Sequence, residues 1–115
     1  VRMMNEDCIE HTVVMGFISA PEEEAGVLAE KLVREKLVSC AQITGGINSY
    51  YWWKGAVEQD REVLIIIKTK AKLQQEVSDF ILREHSYEVP ECIFVPATGG
   101  IAAYLRWVGD VTKGA

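Results

Sequence analysis

Two clusters of side chains in this 115-residue chain carry groups able to do chemistry. The first is Ser49-Tyr50-Tyr51-Trp52-Trp53-Lys54-Gly55, which holds two of the three tryptophans and two of the four tyrosines. In an extended chain successive side chains alternate, so Tyr51 and Trp53 share one face and Tyr50 and Trp52 the other. Rings in this number serve hairpin packing and subunit contact, where Tyr and Trp are enriched. The sharper alternative is a ligand pocket walled by the rings, with Glu62 and Lys68 as its polar groups. Those two residues lie an even number of positions apart on the following strand and so face the same side.

The second cluster is His85-Ser86-Tyr87-Glu88-Val89-Pro90-Glu91, a histidine, a phenol and two carboxylates at the corner between a helix and a strand. His85 reads either as a cap on the helix C-terminus, where a cation is favoured, or as a metal ligand or proton acceptor. Cys40 adds a soft ligand to the list, although a lone cysteine is more often a small buried hydrophobe. A transition-metal site needs three or four convergent ligands, and His85 and Cys40 are the two candidates here. His11, beside the first strand, is a spare. Tyr51, Trp53, Glu62, Lys68, Tyr87 and Glu91 are the candidates for a ligand cleft.

Enzyme signatures are missing. The chain has no glycine-rich phosphate loop after its first strand, no HExxH and no GxSxG. The segment Ile18-Ser19-Ala20-Pro21-Glu22-Glu23-Glu24 is acidic where a phosphate-cradling loop would sit, and it would repel phosphate. A non-catalytic protein is therefore expected. Seventeen acids against twelve bases give a net charge of −5, which argues against nucleic acid and against an anionic membrane surface as partners. Three cysteines without a CxxC pair read as reduced thiols of a cytoplasmic chain. The first residues lack the apolar core of a signal peptide, and no apolar run approaches the roughly 20 residues of a spanning helix.

The elements that must position these groups follow from periodicity. Residues 1–10 read as a disordered leader, and 11–113 as a single domain. Thr12–Ile18 is rich in β-branched and bulky residues and predicts a strand. Pro21 and Glu22–Glu24 open a helix whose apolar stripe is Ala25, Leu28, Ala29, Leu32 and Val33. A second strand starts near Val38, is bent or bulged at Gly45-Gly46, and resumes through Ile47–Trp53. Lys54-Gly55 turns the chain into a third strand ending at Glu62–Lys68. Leu73, Val77, Phe80 and Ile81 stripe a second helix that ends near His85. Cys92–Val95 makes a fourth strand, and a terminal helix presents Ile101, Tyr104, Leu105 and Val108 on one side.

That order, β-α-β-β-α-β plus a terminal helix, predicts an α+β, ferredoxin-like (split βαβ) domain, with two helices on one face of an antiparallel sheet. The other face should alternate with polar residues if water covered it. Instead Val63, Ile65 and Ile67 oppose Leu64 and Ile66, and Val13, Met15 and Phe17 oppose Val14 and Ile18. Both faces are apolar, and one short terminal helix cannot cover the second. A further subunit is the expected cover.

At Cys40-Ala41, Ser49-x-Tyr51-x-Trp53-x-Gly55, Lys68-Thr69 and His85-x-Tyr87-Glu88-Val89-Pro90-Glu91, the chain resembles the CutA divalent-ion-tolerance family. The likeness runs from about residue 12 to 112, through Tyr104-Leu105-x-Trp107 and Val111-Thr112. It implies a homotrimer with sheet edges locked between subunits, an architecture similar to PII-like signalling trimers, and a link to tolerance of copper and other divalent ions. It implies Cu(2+) or another divalent cation, or a small molecule, as ligand at the subunit clefts. A trimerising scaffold that anchors a partner protein is the alternative. Ser86 departs from the family's usual proline after the histidine, and Gln42 from a frequent asparagine. Ile18 and Glu84 stand where family members with a copper site carry a cysteine and a second histidine.

Overall fold

The computed structural model describes residues 12–114. The predicted leader, residues 1–10 with Cys8, and His11 beside the first strand lie outside the described residues. Five strands and three helices follow in the order β1 (Val13–Ala20), α1 (Glu22–Arg34), β2 (Cys40–Ile43), β3 (Ile47–Trp53), β4 (Ala56–Lys70), α2 (Gln74–Glu84), β5 (Ile93–Pro96) and α3 (Ala102–Val111). A single 3-10 turn, Ala71–Leu73, leads into α2. The strands form an antiparallel sheet in the order β2-β4-β1-β5, with β3 also paired to β4.

The fifteen-residue β4 organises this sheet. Its second half, Val63–Lys70, pairs with β1, and Ile65–Lys68 pairs on the other side with β2. Its first half, Ala56–Glu62, pairs with β3 alone. Between Ile43, opposite Ile65, and Ile47, opposite Glu62, lie three residues facing two on β4. That is the expected interruption at Gly45-Gly46, a one-residue bulge that splits the second strand in two. Thr44 fills the gap: its hydroxyl accepts from the Leu64 amide at 3.0 Å and its own amide donates to the Leu64 carbonyl at 2.9 Å.

One face of the sheet is covered as patterned. Ile18 and Ala20 of β1 and Val63, Ile65 and Ile67 of β4 pack against Ala25, Leu28, Ala29 and Leu32 of α1 and Val77, Phe80 and Ile81 of α2. Each such aliphatic or aromatic side chain contributes roughly 1.5–3 kcal/mol of burial. Val33, assigned to the stripe of α1, is 41% exposed, because the stripe is narrower than five residues in three turns requires. On the opposite face α3 covers the Val13–Lys70 end through the buried Val108; Ile101 and Tyr104 stay exposed. Beyond it Met15, Phe17, Leu64 and Ile66 are only half-buried, and Ile93 and Val95 are exposed.

β3 and the first half of β4 leave the body of the sheet as a two-stranded ribbon, closed by Lys54 and Gly55 in left-handed backbone. Seven residue pairs make it about 20 Å long. The radius of gyration is 15.4 Å, with extents of 49 × 31 × 25 Å, against about 13 Å for a compact chain of this length.

Candidate functional site

The ribbon meets the corner after α2 in a cleft of about 750 Å³. Register decides which ribbon side chains face it. Ile47 stands opposite Glu62, so Ser49, Tyr51 and Trp53 lie on the face of Asp60, Glu58 and Glu62, while Tyr50 and Trp52 belong with Gln59 and Val57. Without the bulge this parity would reverse. The cleft is lined by the aromatic block together with Ser19, Ser49, Glu62, Tyr87, Glu88 and Glu91.

His85 sets the corner against β1. Its Nε2 lies 2.8 Å from the Ser19 carbonyl, and its Nδ1 accepts the Tyr87 amide at 3.1 Å. A carbonyl can only accept, so Nε2 is the donor to Ser19, while Nδ1 is the acceptor of the Tyr87 amide. Glu24 of α1 completes the corner, accepting from the Ser86 amide at 3.1 Å and the Ser86 hydroxyl at 2.6 Å. His85 is the C-terminal cap residue of α2, as one of its two readings has it, with its amide donating to the Ile81 carbonyl at 2.9 Å. Its side chain is buried, it bridges strand and loop, and both ring nitrogens are engaged.

That bridge delivers Tyr87 to Glu62. The phenol donates to Glu62 Oε2 at 2.7 Å, and Glu62 is only 5% exposed. Burial first, and the hydrogen bond to Glu62 second, push the Tyr87 phenol well above its usual range. Tyr51 donates to Asp60 across the ribbon, and this bond, with lesser contributions from desolvation and nearby carboxylates, raises its pKa to about 12. Asp60 was not among the sequence candidates. Its signal was parity, since it stands two residues from Glu62 on the same face.

Tyr51, Trp53, Glu62, Tyr87 and Glu91 therefore come together. Lys68 does not line the cleft. It shares a face with Glu62, but six residues of strand carry it about 20 Å away, where its ammonium donates to Gln42. Cys40 is opposite Lys68, whereas His85 bonds to Ser19, whose partner on β4 is Leu64. Four strand residues, about 13 Å, separate the levels of the two candidate metal ligands. Cys40 instead faces Tyr104 of α3, with Sγ 3.6 Å from the hydroxyl. Among the described residues no three His, Cys, Asp or Glu side chains converge as a metal site would require.

The model of the CutA1 divalent ion tolerance protein family matches residues 13–111. The chain belongs to that family. A relative named Protein CutA 1, chloroplastic, from Oryza sativa subsp. japonica is 40% identical over 101 residues, 87% of this chain and 57% of its own length. The chain thus spans just over half of that plant relative. A divalent-cation tolerance protein CutA from Escherichia coli O45:K1 is 37% identical over 107 residues, 92% of this chain and 96% of the relative. The crystal structure of CutA1 from Oryza sativa superimposes with a TM-score of 0.86 at 38% identity, covering 91% of this chain and 99% of that one. In CutA1 terms the cleft is built from two of the motifs that carry the resemblance, the aromatic block and the His85–Glu91 corner. Among the described residues no helix is long and apolar enough to cross a membrane.

Proposed function

We propose that this CutA1 chain is a non-catalytic homotrimer of ferredoxin-like subunits, acting in tolerance of divalent ions such as copper by binding a ligand at its subunit clefts in a PII-like manner. The observation that carries the reading is the cleft itself, where a buried carboxylate, two carboxylate-bound phenols and a wall of rings converge at the base of a ribbon projecting from its own subunit. A two-stranded ribbon is marginal alone in water. Tyr50 at 67% and Trp52 at 74% exposure stand beside the exposed Val57 on this one, and the sheet behind it leaves Ile93 and Val95 open. Neighbouring copies covering these surfaces would also wall the clefts.

Copper chelation by His85 and Cys40 within one subunit does not fit: the histidine has no free nitrogen, and the cysteine sits at another level of the sheet. A small molecule, rather than a resident ion on those two residues, is the ligand the cleft favours. The free thiols of Cys40 and Cys92 agree with a cytoplasmic setting.

Sedimentation equilibrium combined with titration tests this reading. The expected results are a trimer at micromolar concentration and a Tyr50→Glu/Trp52→Glu variant shifted toward monomer. Copper titrations of the parent and of His85→Ala and Cys40→Ser should be alike, provided both variants remain trimeric. A stable monomer of about 13 kDa would overturn it, given the apolar surface it would expose. The exposed rings of the ribbon also favour a second reading, a trimerising scaffold that anchors a partner protein. A trimer silent toward every small ligand would favour that scaffold.

A further inference from the structure

We infer that the cleft selects a primary organic ammonium, with the charged head on Glu62 and an apolar or aromatic body against Tyr51, Trp53 and Tyr87. The inference rests on the cleft being a ligand site and names the chemical class of what enters it.

Charge is the first argument. Glu62, Glu88 and Glu91 line the cleft, while among the described residues of the same subunit no Lys, Arg or His does, and Lys68 is at the far end of the strand bonded to Gln42. An anionic metabolite would meet three carboxylates in the lining, with Lys54 as a cation only against the Trp53 ring.

The second argument is the state of Glu62. It is nine-tenths buried and has no cationic partner among the described residues. Oε2 takes the Tyr87 hydroxyl, whereas Oε1 has no hydrogen-bond partner among the described residues. Among the described residues no fully buried side-chain oxygen or nitrogen lacks a partner, so Oε1 is not sealed in the protein, and the opening that Glu62 lines is the cleft. A desolvated carboxylate holding one phenol and one open acceptor position is stabilised by a donor that carries positive charge.

The third argument separates an organic cation from a metal ion. A divalent ion exchanges several waters for several protein oxygens, and no three carboxylates converge here. The rings cannot replace that hydration shell. They do suit an ammonium and its apolar stem, and the Lys54 ammonium already lies 5.6 Å from the centre of the Trp53 ring. Hydroxyl and carboxylate acceptors beside the rings favour an ammonium with N–H donors over a quaternary one. A cleft of about 750 Å³ lies within the range of roughly 300–1,000 Å³ for small-molecule sites.

Three probes of one shape and different charge test the inference by isothermal titration on the assembled protein at neutral pH: 2-phenylethylamine, 2-phenylethanol and phenylacetate. The amine should bind saturably, the alcohol at least tenfold more weakly, and phenylacetate not at all. Glu62→Gln keeps an acceptor for the Tyr87 hydroxyl and should weaken the amine at least tenfold at unchanged oligomeric mass. If that variant does not fold, Glu91→Gln, on the exposed rim, should weaken it about threefold, and added salt should weaken it further. Equal binding of amine and alcohol, or an amine affinity indifferent to these carboxylates, overturns the inference. Binding of phenylacetate alone also overturns it while leaving the cleft as a ligand site. Failure of all three probes overturns the inference and counts against the cleft reading itself.

Discussion

Tyr87 and Glu62 are held 2.7 Å apart by two distant elements: the loop after α2 and the point where β4 leaves the sheet for the ribbon. His85 makes this possible, since its Nδ1 fixes the Tyr87 amide and its Nε2 pins the loop to β1. Replacing Tyr87 by Phe leaves a buried carboxylate without its donor. The expected loss is roughly 1–3 kcal/mol of unfolding free energy, read by urea denaturation. A loss below about 0.5 kcal/mol would mean that water serves Glu62 as well as the phenol does.

High pH should destabilise the fold through the tyrosines. The hydrogen bond to Asp60 raises the Tyr51 pKa to about 12, above the ordinary phenol value, and that of Tyr87 is raised as well. The folded state therefore holds these protons more tightly than the unfolded state. The associated stability is fully present below pH 10 and is lost as pH rises toward 12 and beyond. Ultraviolet titration of tyrosinate should show a component near pH 12 that shrinks by one tyrosine in Tyr51→Phe, the remainder belonging to Tyr104, which its hydrogen bond to Cys40 also raises to about 12. If the variant titrates as the parent does, the bond to Asp60 does not hold the proton.

Lys70 is 1% exposed, and its ammonium lies 3.3 Å from the Gly109 carbonyl, 3.4 Å from that of Thr112 and 3.0 Å from that of Gly114. A cation at the end of α3 satisfies carbonyls that the helix leaves unpaired. Burial lowers its pKa. Lys70→Met keeps the stem and removes the donor, and should cost roughly 1–3 kcal/mol for each carbonyl left dry. Hydrogen exchange over residues 102–111 is the sensitive readout. Faster exchange there, with the core of α1 unchanged, is expected; unchanged exchange would show that Val108 alone holds α3.

Gly16 sits where β1 passes beneath two large side chains. A methyl group at its Cα would lie 2.7 Å from Ile67 Cγ1, 2.8 Å from Ile67 Cδ1 and 3.1 Å from Phe94 Cε1. Ile67 is fully buried and cannot swing away cheaply. Gly16→Ala should therefore destabilise by about 1–3 kcal/mol through overpacking. An unchanged denaturation midpoint would show that Ile67 has a second accommodating rotamer.

Much of this architecture was legible in local chemistry. The order of strands and helices follows from period and breakers. The two-sided apolar pattern of Val63–Ile67 marks a strand with both faces committed, and Gly45-Gly46 marks the bulge, because these are properties of a few neighbouring residues. The same locality explains the ring block and the His85–Glu91 corner as candidates. Partnership across the chain is another matter. Parity puts Lys68 and Glu62 on one face, but only the path of β4 separates them by about 20 Å and leaves Glu62 to Tyr87, twenty-five residues on. Residue type makes His85 a ligand candidate, but only packing against Ser19 and Tyr87 occupies both its nitrogens. Lys70 reads as one more exposed cation beside Lys68 and Lys72, until α3 folds back over it. Spacing along the chain sets which face a side chain takes, and the sequence by itself determined that much. Distance in space depends on how distant segments close on one another, and that closure decided which group each charge meets.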